Sequence, residues 1–423
     1  MSPSTTGPAS VPRMPGLEMQ AIEAHRLEFT GSGSEYFRVW IVNVLLSILT
    51  LGFYTPWARR RTAQYFYGHT LVADSPLEFT AQQRKMVMGF VLLMLITLAY
   101  QIALRTGQDT AVSLFLLAGA ALAPYIWASA MRFRLGSTRW RGLRLQFTAS
   151  WREVYLASWP VFAMALIWIG VVYAIQALAP EAAAALEQLG EEAPGQRPRM
   201  PAIHPAMGGV VVLGLVLSVL CVIRLEYNYK SLLVQRGQVG AESGRWKPVY
   251  MDFVKIWAGT VGVFLLSLAV LALLLAAVFG GSAALLGGLG KRAGLWIFLW
   301  IIAGAVLSVF LMFLASAPAR AYREARMFQL TWNNIGVSRF ARFKCRLRTQ
   351  RFVALRLRNM VFTLLTLGLY RPFARASEYR MKVESVTLHV KGGVDRVAGA
   401  LTRQQQNGLG DALADAAGLD LIG

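Results

Sequence analysis

The sequence predicts an all-α polytopic membrane protein: six long transmembrane helices, two short repeated re-entrant or interfacial segments, and a small cytoplasmic β element made of loop hairpins. Three observations lead there. Of 423 residues, 56% are hydrophobic and only 15% charged, with a mean hydropathy of +0.46, whereas a soluble domain carries ~25% charged residues. Six apolar runs are long enough to cross a bilayer: 86–104, 111–131, 154–178, 207–223, 253–279 and 294–317. The Lys and Arg residues cluster in alternate loops. This composition excludes a disordered protein, a coiled coil and an ordinary cytosolic enzyme.

Taken in chain order, residues 1–24 are rich in Ser, Pro and Gly without an apolar core and read as a disordered tail, not a signal peptide. The membrane domain follows over 25–391, and residues 392–423, rich in Gly, Ala and Asp, read as a flexible tail, with a short helix expected near 409–421. Loops 55–85, 132–153, 224–252 and 318–351 hold 25 basic residues; loops 105–110, 179–206 and 280–293 hold five, with five acids. Lys and Arg mark the cytoplasmic side, so the first four loops and both termini are placed there. Two shorter apolar segments, 39–54 and 359–370, then have cytoplasmic flanks on both sides, which is why they are read as re-entrant or interfacial.

Those two segments are copies. Thr50-Leu-Gly-Phe-Tyr-Thr-Pro-Trp-Ala-Arg59 matches Thr366-Leu-Gly-Leu-Tyr-Arg-Pro-Phe-Ala-Arg375 at seven of ten positions, and Asn43 and Asn359 precede them by the same seven residues. A second repeat aligns 68–81 with 136–149 without a gap, and Leu27-Glu-Phe-Thr30 reappears as Leu77-Glu-Phe-Thr80. These loop repeats alternate apolar and polar residues, as in Leu143, Leu145, Phe147 and in Val386, Leu388, Val390, the period of a strand. Asp74-Ser-Pro and Arg141-Gly supply turn chemistry. A lone hairpin is marginal in water, so hairpins from successive loops are expected to pair into one small sheet or barrel-like cap.

The stretches Phe29-Thr-Gly-Ser-Gly-Ser-Glu-Tyr-Phe37, Trp40-Ile-Val-Asn43 and Thr50–Ala58, with Arg139-Trp-Arg-Gly-Leu-Arg-Leu-Gln-Phe147 and Thr366–Arg375, resemble the YjgN family of bacterial inner-membrane proteins over roughly 27–391. The resemblance implies a multi-pass protein of the bacterial inner membrane. It implies no reaction and no catalytic residues. Phe373 stands where the earlier copy has Trp57, a conservative difference.

Candidate chemistry is sparse. His25, His69, His204 and His389 fall in no metal-ligand spacing. No nucleophile elbow or phosphate-cradling glycine loop is present, so no catalytic, cofactor or metal site is assigned and no cofactor is expected. Cys221 and Cys345 are read as two structural thiols. The six long runs hold no Asp, Glu or Arg, against proton-coupled transport. The candidate repeated membrane motif is Asn43, Thr50, Gly52, Tyr54, Pro56 and Arg59 with Asn359, Thr366, Gly368, Tyr370, Pro372 and Arg375. It reads either as a broken helix of a transporter site or as a helix terminus with interfacial anchors. Candidate contacts to anionic phospholipid headgroups are Arg339, Arg342, Lys344, Arg346, Arg348 and Arg351; in most proteins such a cluster is only orientation bias.

The favoured function is a non-enzymatic membrane protein that moves or binds a small solute or lipid of unassigned identity. The alternative is a structural or assembly factor of the envelope acting through its cytoplasmic β cap. The formal charge of +21 is attributed to the bilayer as partner, not to nucleic acid, and homo-oligomer formation is left open.

Overall fold

The computed structural model describes residues 22–178, 180, 205–240, 242–286, 294–337 and 341–403; between 278 and 313 only the course of the helices is described, apart from Ile302 and Gly304. The expected short C-terminal helix near 409–421 lies outside these residues.

The chain alternates short β-hairpins with pairs of helices. Strands β1 (Ile22–Arg26) and β2 (Glu28–Phe29) lead into α1 (Gly33–Leu49) and α2 (Thr55–Gly68); β3 (Thr70–Val72) and β4 (Ser75–Phe79) lead into α3 (Gln83–Arg105) and α4 (Asp109–Gly136). Next come β5 (Thr138–Trp140), β6 (Leu143–Phe147), α5 (Trp151–Ala157), α6 (Trp159–Leu178) and α7 (Pro205–Gln235). The pattern repeats with β7 (Gly237–Val239), β8 (Glu242–Trp246), α8 (Tyr250–Leu286), α9 (Gly294–Asn334), β9 (Ile335–Val337) and β10 (Ala341–Cys345). It ends with α10 (Thr349–Leu365), α11 (Arg371–Val383), β11 (Val386–Lys391) and a last helix, α12, over 394–403.

The all-α expectation is wrong. All eleven strands join one antiparallel sheet in the order β1-β11-β10-β9-β8-β7-β6-β5-β4-β3-β2. The two edges of this sheet are the two halves of one chain segment: β1 pairs with β11, β2 pairs with β3, and only Leu27 separates them, its N–H donating to the Val386 carbonyl at 3.0 Å. The sheet therefore curls into a nearly closed barrel, which removes the exposed edges that invite aggregation. The hairpins were legible in the sequence. Their extent was not, because strands of two to six residues carry little local signal and the ladders between successive hairpins, such as β4 with β5 and β8 with β9, join strands about 60 to 90 residues apart.

Each β-hairpin enters and leaves at the same rim, so the helices project from one rim and the turns line the other. The turns are tight. Ala73 and Asp74 (φ 48° and 59°) and Arg141 and Gly142 (φ 50° and 79°) have the paired positive φ of two-residue hairpin loops. Inside the barrel, Val386, Leu388 and Val390 alternate inward beside Leu27 and Phe29. Across the turn rim lies α12, whose Ala398 and Leu401 cover Leu143 and whose Asp395 pairs with Arg141. The C-terminal stretch read as flexible thus begins, in the structure, with a packed helix.

Five helical segments are long and apolar enough to cross a membrane among the described residues: Gln83–Arg105, Thr110–Gly136, Trp151–Leu178, Pro205–Gln235 and Tyr250–Ala277. This replaces the expected six. The sixth expected run, 294–317, falls in α9, most of whose side chains there lie outside the described residues. Helices α7 and α9, of 31 and 41 residues, are ~46 and ~62 Å long at 1.5 Å per residue, beyond the ~30 Å hydrocarbon core. Their polar ends run on to the barrel, so charged residues such as Glu226 and Glu324 belong to the same helices as the apolar runs. Segments 39–54 and 359–370 each form the outgoing arm and turn of a short helical hairpin that begins and ends at the barrel rim.

Candidate lipid-facing site: two helical hairpins and the barrel rim

Helix α1 starts at Ser32, which caps the Glu35 amide while the Glu35 carboxylate accepts from the Ser32 N–H; Ser150 and Glu153 start α5 in the same way. Both helices follow the spelling Phe-Thr-x-Ser-x-x-Glu. The Ser32 main-chain N–H, then its hydroxyl, hold the Glu35 carboxyl below its ordinary range. Tyr65 of α2 donates to the Ser32 carbonyl at 2.8 Å, and burial together with the nearby Glu35 charge pushes its hydroxyl up to about 12.

The repeated motif is the turn between two helices, built twice with the same bonds. Thr50 Oγ1 donates to the Leu46 carbonyl at 2.7 Å and accepts from the Tyr54 N–H at 3.0 Å; Thr366 does so with Phe362 and Tyr370 at 2.7 and 2.9 Å. The Gly52 N–H reaches the Ser47 carbonyl and the Gly368 N–H the Thr363 carbonyl, both at 2.7 Å. Leu51 and Gly52 take φ of 48° and 92°, Leu367 and Gly368 of 49° and 95°, the left-handed region that glycine enters freely. Pro56 and Pro372 sit in the first turn of α2 and α11, where the missing N–H is no loss. Tyr54 stacks on Trp57 and Tyr370 on Phe373, with ring centroids 6.0 and 5.6 Å apart.

The asparagines join the arms. Asn43 Nδ2 donates to the Ala58 carbonyl at 3.4 Å; the two hydrogens of Asn359 Nδ2 are shared among the Ala374 carbonyl at 3.3 Å, Ser377 Oγ at 3.0 Å and Glu378 Oε1 at 3.1 Å. Both are buried, and in both the amide oxygen has no hydrogen-bond partner among the described residues. The polar groups of the motif are thus spent largely on the hairpin itself. What each hairpin offers outward is an apolar tip: Leu51 is 91% and Leu367 95% exposed.

The two hairpins dock on each other through α1 and α11. Phe37 stacks on Phe373 at 5.7 Å, and Gly33 lies so close to Phe373 that a Cβ there would meet its ring at 2.7 Å. Arg375 donates to Tyr36 Oη at 3.3 Å and lies over the Phe66 ring. Between α1 and α2 runs a groove of about 720 Å³, lined by Trp40, Asn43, Arg59, Arg134 and Arg375 among others. Beneath the second hairpin, Glu324 of α9 pairs with both Arg356 and Lys382.

A second cavity, of about 710 Å³, lies at the helix rim of the barrel. Of the six basic residues singled out, Arg346, Arg348 and Arg351 line it. Arg342 and Lys344 lie exposed on β10, and Arg339 lies outside the described residues. The fold adds Arg26 from β1 and Arg380 from α11, which the sequence did not point to: Arg26 Nε donates to the Glu384 carbonyl at 2.6 Å across 358 residues of chain. Glu384 is the one acid among the lining residues, 3.8 Å from Arg380. Arg348 also occupies the N-cap of α10 without a side-chain cap, so the positive end of that helix faces the same region. Among the described residues no group of three or more His, Cys, Asp or Glu could hold a metal ion, and Cys221 and Cys345 are free thiols.

A barrel with apolar helices leaving one rim defines a membrane protein. The chain belongs to the family described as bacterial protein of unknown function (DUF898), whose model matches residues 24–416. It is similar to the inner membrane protein YjgN of Salmonella typhimurium, 30% identical over 156 residues, 36% of this chain and 38% of that protein. It is also similar to the protein of the same name from Escherichia coli O157:H7, 24% identical over 154 residues, 36% of this chain and 39% of that protein. The chain therefore spans about two fifths of the length of these relatives. No solved structure matches it.

Proposed function

We propose that the protein binds anionic phospholipid headgroups at the helix rim of its barrel and catalyses no reaction on them. The observation that carries this is the convergence of Arg26, Arg346, Arg348, Arg351 and Arg380 on one cavity with a single acid. Arginine forks match phosphate oxygens in pairs, and basic residues beside a membrane helix attract anionic lipid. The cavity sits at the base of the second helical hairpin, on the rim from which the apolar helices also project, the level this reading assigns to headgroups. In this reading the barrel faces the cytoplasm, because the basic loops build it, and the long apolar helices carry the chain across the membrane several times; the names of its relatives support the inner membrane.

The test is lipid retention. Full-length protein purified in mild detergent is compared with the Arg346→Gln/Arg348→Gln/Arg351→Gln variant by mass spectrometry of bound lipid. Enrichment of anionic over zwitterionic phospholipid in the wild type, lost in the variant, is the expected result; equal retention overturns the reading. Orientation is checked separately with a single thiol at Glu78, exposed on β4, after Cys221 and Cys345 are changed to Ser. Labelling of intact cells by an impermeant reagent would place the barrel outside.

A further inference from the structure

The geometry points to a second site of different chemistry: the groove between α1 and α2 holds an acyl chain capped by an anionic head. The groove shares no residue with the rim cavity and does not depend on the headgroup reading. Its volume, about 720 Å³, falls within the ~300–1,000 Å³ typical of small-molecule sites.

One wall is an apolar stripe of α1: Trp40, Val44 and Ile48, spaced four residues apart on one face. It is ~12 Å long from Trp40 to Ile48 at 1.5 Å per residue. The facing wall of α2 offers small side chains, Ala58, Thr62 and Ala63, which leave the trough open. Toward the hairpin tip it ends beside Ile48, 66% exposed, and the bare Leu51. Toward the barrel it ends at Arg134 of α4 and Arg375 of α11, with Arg59 on its flank.

Two guanidinium groups from two other helices, Arg134 and Arg375, line this end, with Arg59 farther along the groove, and among the described residues no Asp or Glu lines it. None of the three is paired with a carboxylate among the described residues; Arg375 has only the Tyr36 hydroxyl and aromatic faces. Converging like charges repel and are relieved by an anion between them. An amphiphile with its head on Arg134 and Arg375 and its tail along Trp40, Val44 and Ile48 satisfies both ends. It also lies as a lipid does beside a hairpin whose tip is apolar. A fatty carboxylate and one chain of a phospholipid share this chemistry.

The experiment reads Trp40. Full-length protein in a nonionic detergent is titrated with 9,10-dibromostearate, with phosphatidylglycerol or phosphatidylcholine carrying brominated chains, and with an uncharged brominated monoacylglycerol. Bromine quenches indole fluorescence at contact, and the Trp40→Phe variant isolates the signal of Trp40 from that of the other tryptophans. Saturable quenching of Trp40 by an anionic probe, about tenfold weaker in Arg134→Gln because a charge-assisted contact is lost, is the expected result. Response to dibromostearate alone identifies a free carboxylate; response to brominated phosphatidylglycerol identifies a phospholipid. Equal quenching by the uncharged and zwitterionic probes, or no difference between wild type and Trp40→Phe, overturns the proposal. Among the described residues Arg134 makes no side-chain hydrogen bond or ion pair, so this variant is expected to fold, and Val44→Trp, which fills the trough, is a second block. The Arg346/Arg348/Arg351 variant keeps the Trp40 signal, which separates this site from the rim.

Discussion

Asn359 and Ala374 stand fifteen residues apart and are joined across a helical hairpin, side-chain amide to main-chain carbonyl, at 3.3 Å; Asn43 and Ala58 make the same bond at the same spacing in the first copy, at 3.4 Å. The bond explains why an asparagine precedes each motif by seven residues. From one helix it reaches a carbonyl in the first turn of the next, and it sets how closely the two arms approach.

Truncating these amides should therefore loosen the hairpins unequally. Asn359 also holds Ser377 and Glu378. Asn359→Ala is expected to cost ~1–3 kcal/mol and Asn43→Ala, with one long bond, ~0.5–1.5 kcal/mol. Thermal unfolding in detergent followed by tryptophan fluorescence measures the difference. Equal losses would show that the extra bonds of Asn359 contribute nothing.

Gly52 and Gly368 have open space around the position a Cβ would take, so replacing them probes backbone conformation alone. Each to Ala is expected to cost ~1–2 kcal/mol, and each to Asn less, since asparagine tolerates positive φ. The same unfolding assay applies. An alanine variant as stable as the wild type would mean that the turn adopts another form.

Leu27 lies between the two strands that close the barrel and is 6% exposed. Leu27→Ala is expected to cost ~2–5 kcal/mol, as for a core residue. Ile22→Ala, at a site 68% exposed, should stay within ~0.5 kcal/mol. If both changes are neutral in chemical denaturation, the N-terminal segment does not hold the sheet closed.

Tyr65 gives a pH signature. Its folded value of about 12 lies above the ordinary 10.0, so the native state favours the neutral phenol. The stabilisation is complete below pH 10 and is lost as pH rises through about 12. The difference in melting temperature between wild type and Tyr65→Phe should be constant up to pH 10 and shrink above it. A difference that grows with alkalinity would contradict the burial of the hydroxyl beside Glu35.

Short-range features of this molecule are written locally. The apolar runs mark the helices because a bilayer-length stretch without charge has few other fates. The Thr50–Arg59 and Thr366–Arg375 repeats encode one turn, since the bonds of Thr50, Gly52, Thr366 and Gly368 that shape it join residues at most five apart, and the alternation of Val386, Leu388 and Val390 marks an inward face. Even so, the repeats did not reveal the packing of α1 on α11: Gly33 and Phe373 are 340 residues apart, and nothing near either names the other.

The barrel and both cavities were decided in three dimensions. Closure depends on Leu27 lying between strands that pair with opposite edges of the sheet, a relationship with no local trace. The basic cluster around Arg346 was visible, but its shape as a cavity needed Arg26 and Arg380, and the groove beside Asn43 needed Arg134 from another hairpin. Charge can be counted along a chain. Whether like charges converge depends on which strands pair, and in a sheet of such short strands that choice rests on contacts made across the whole fold.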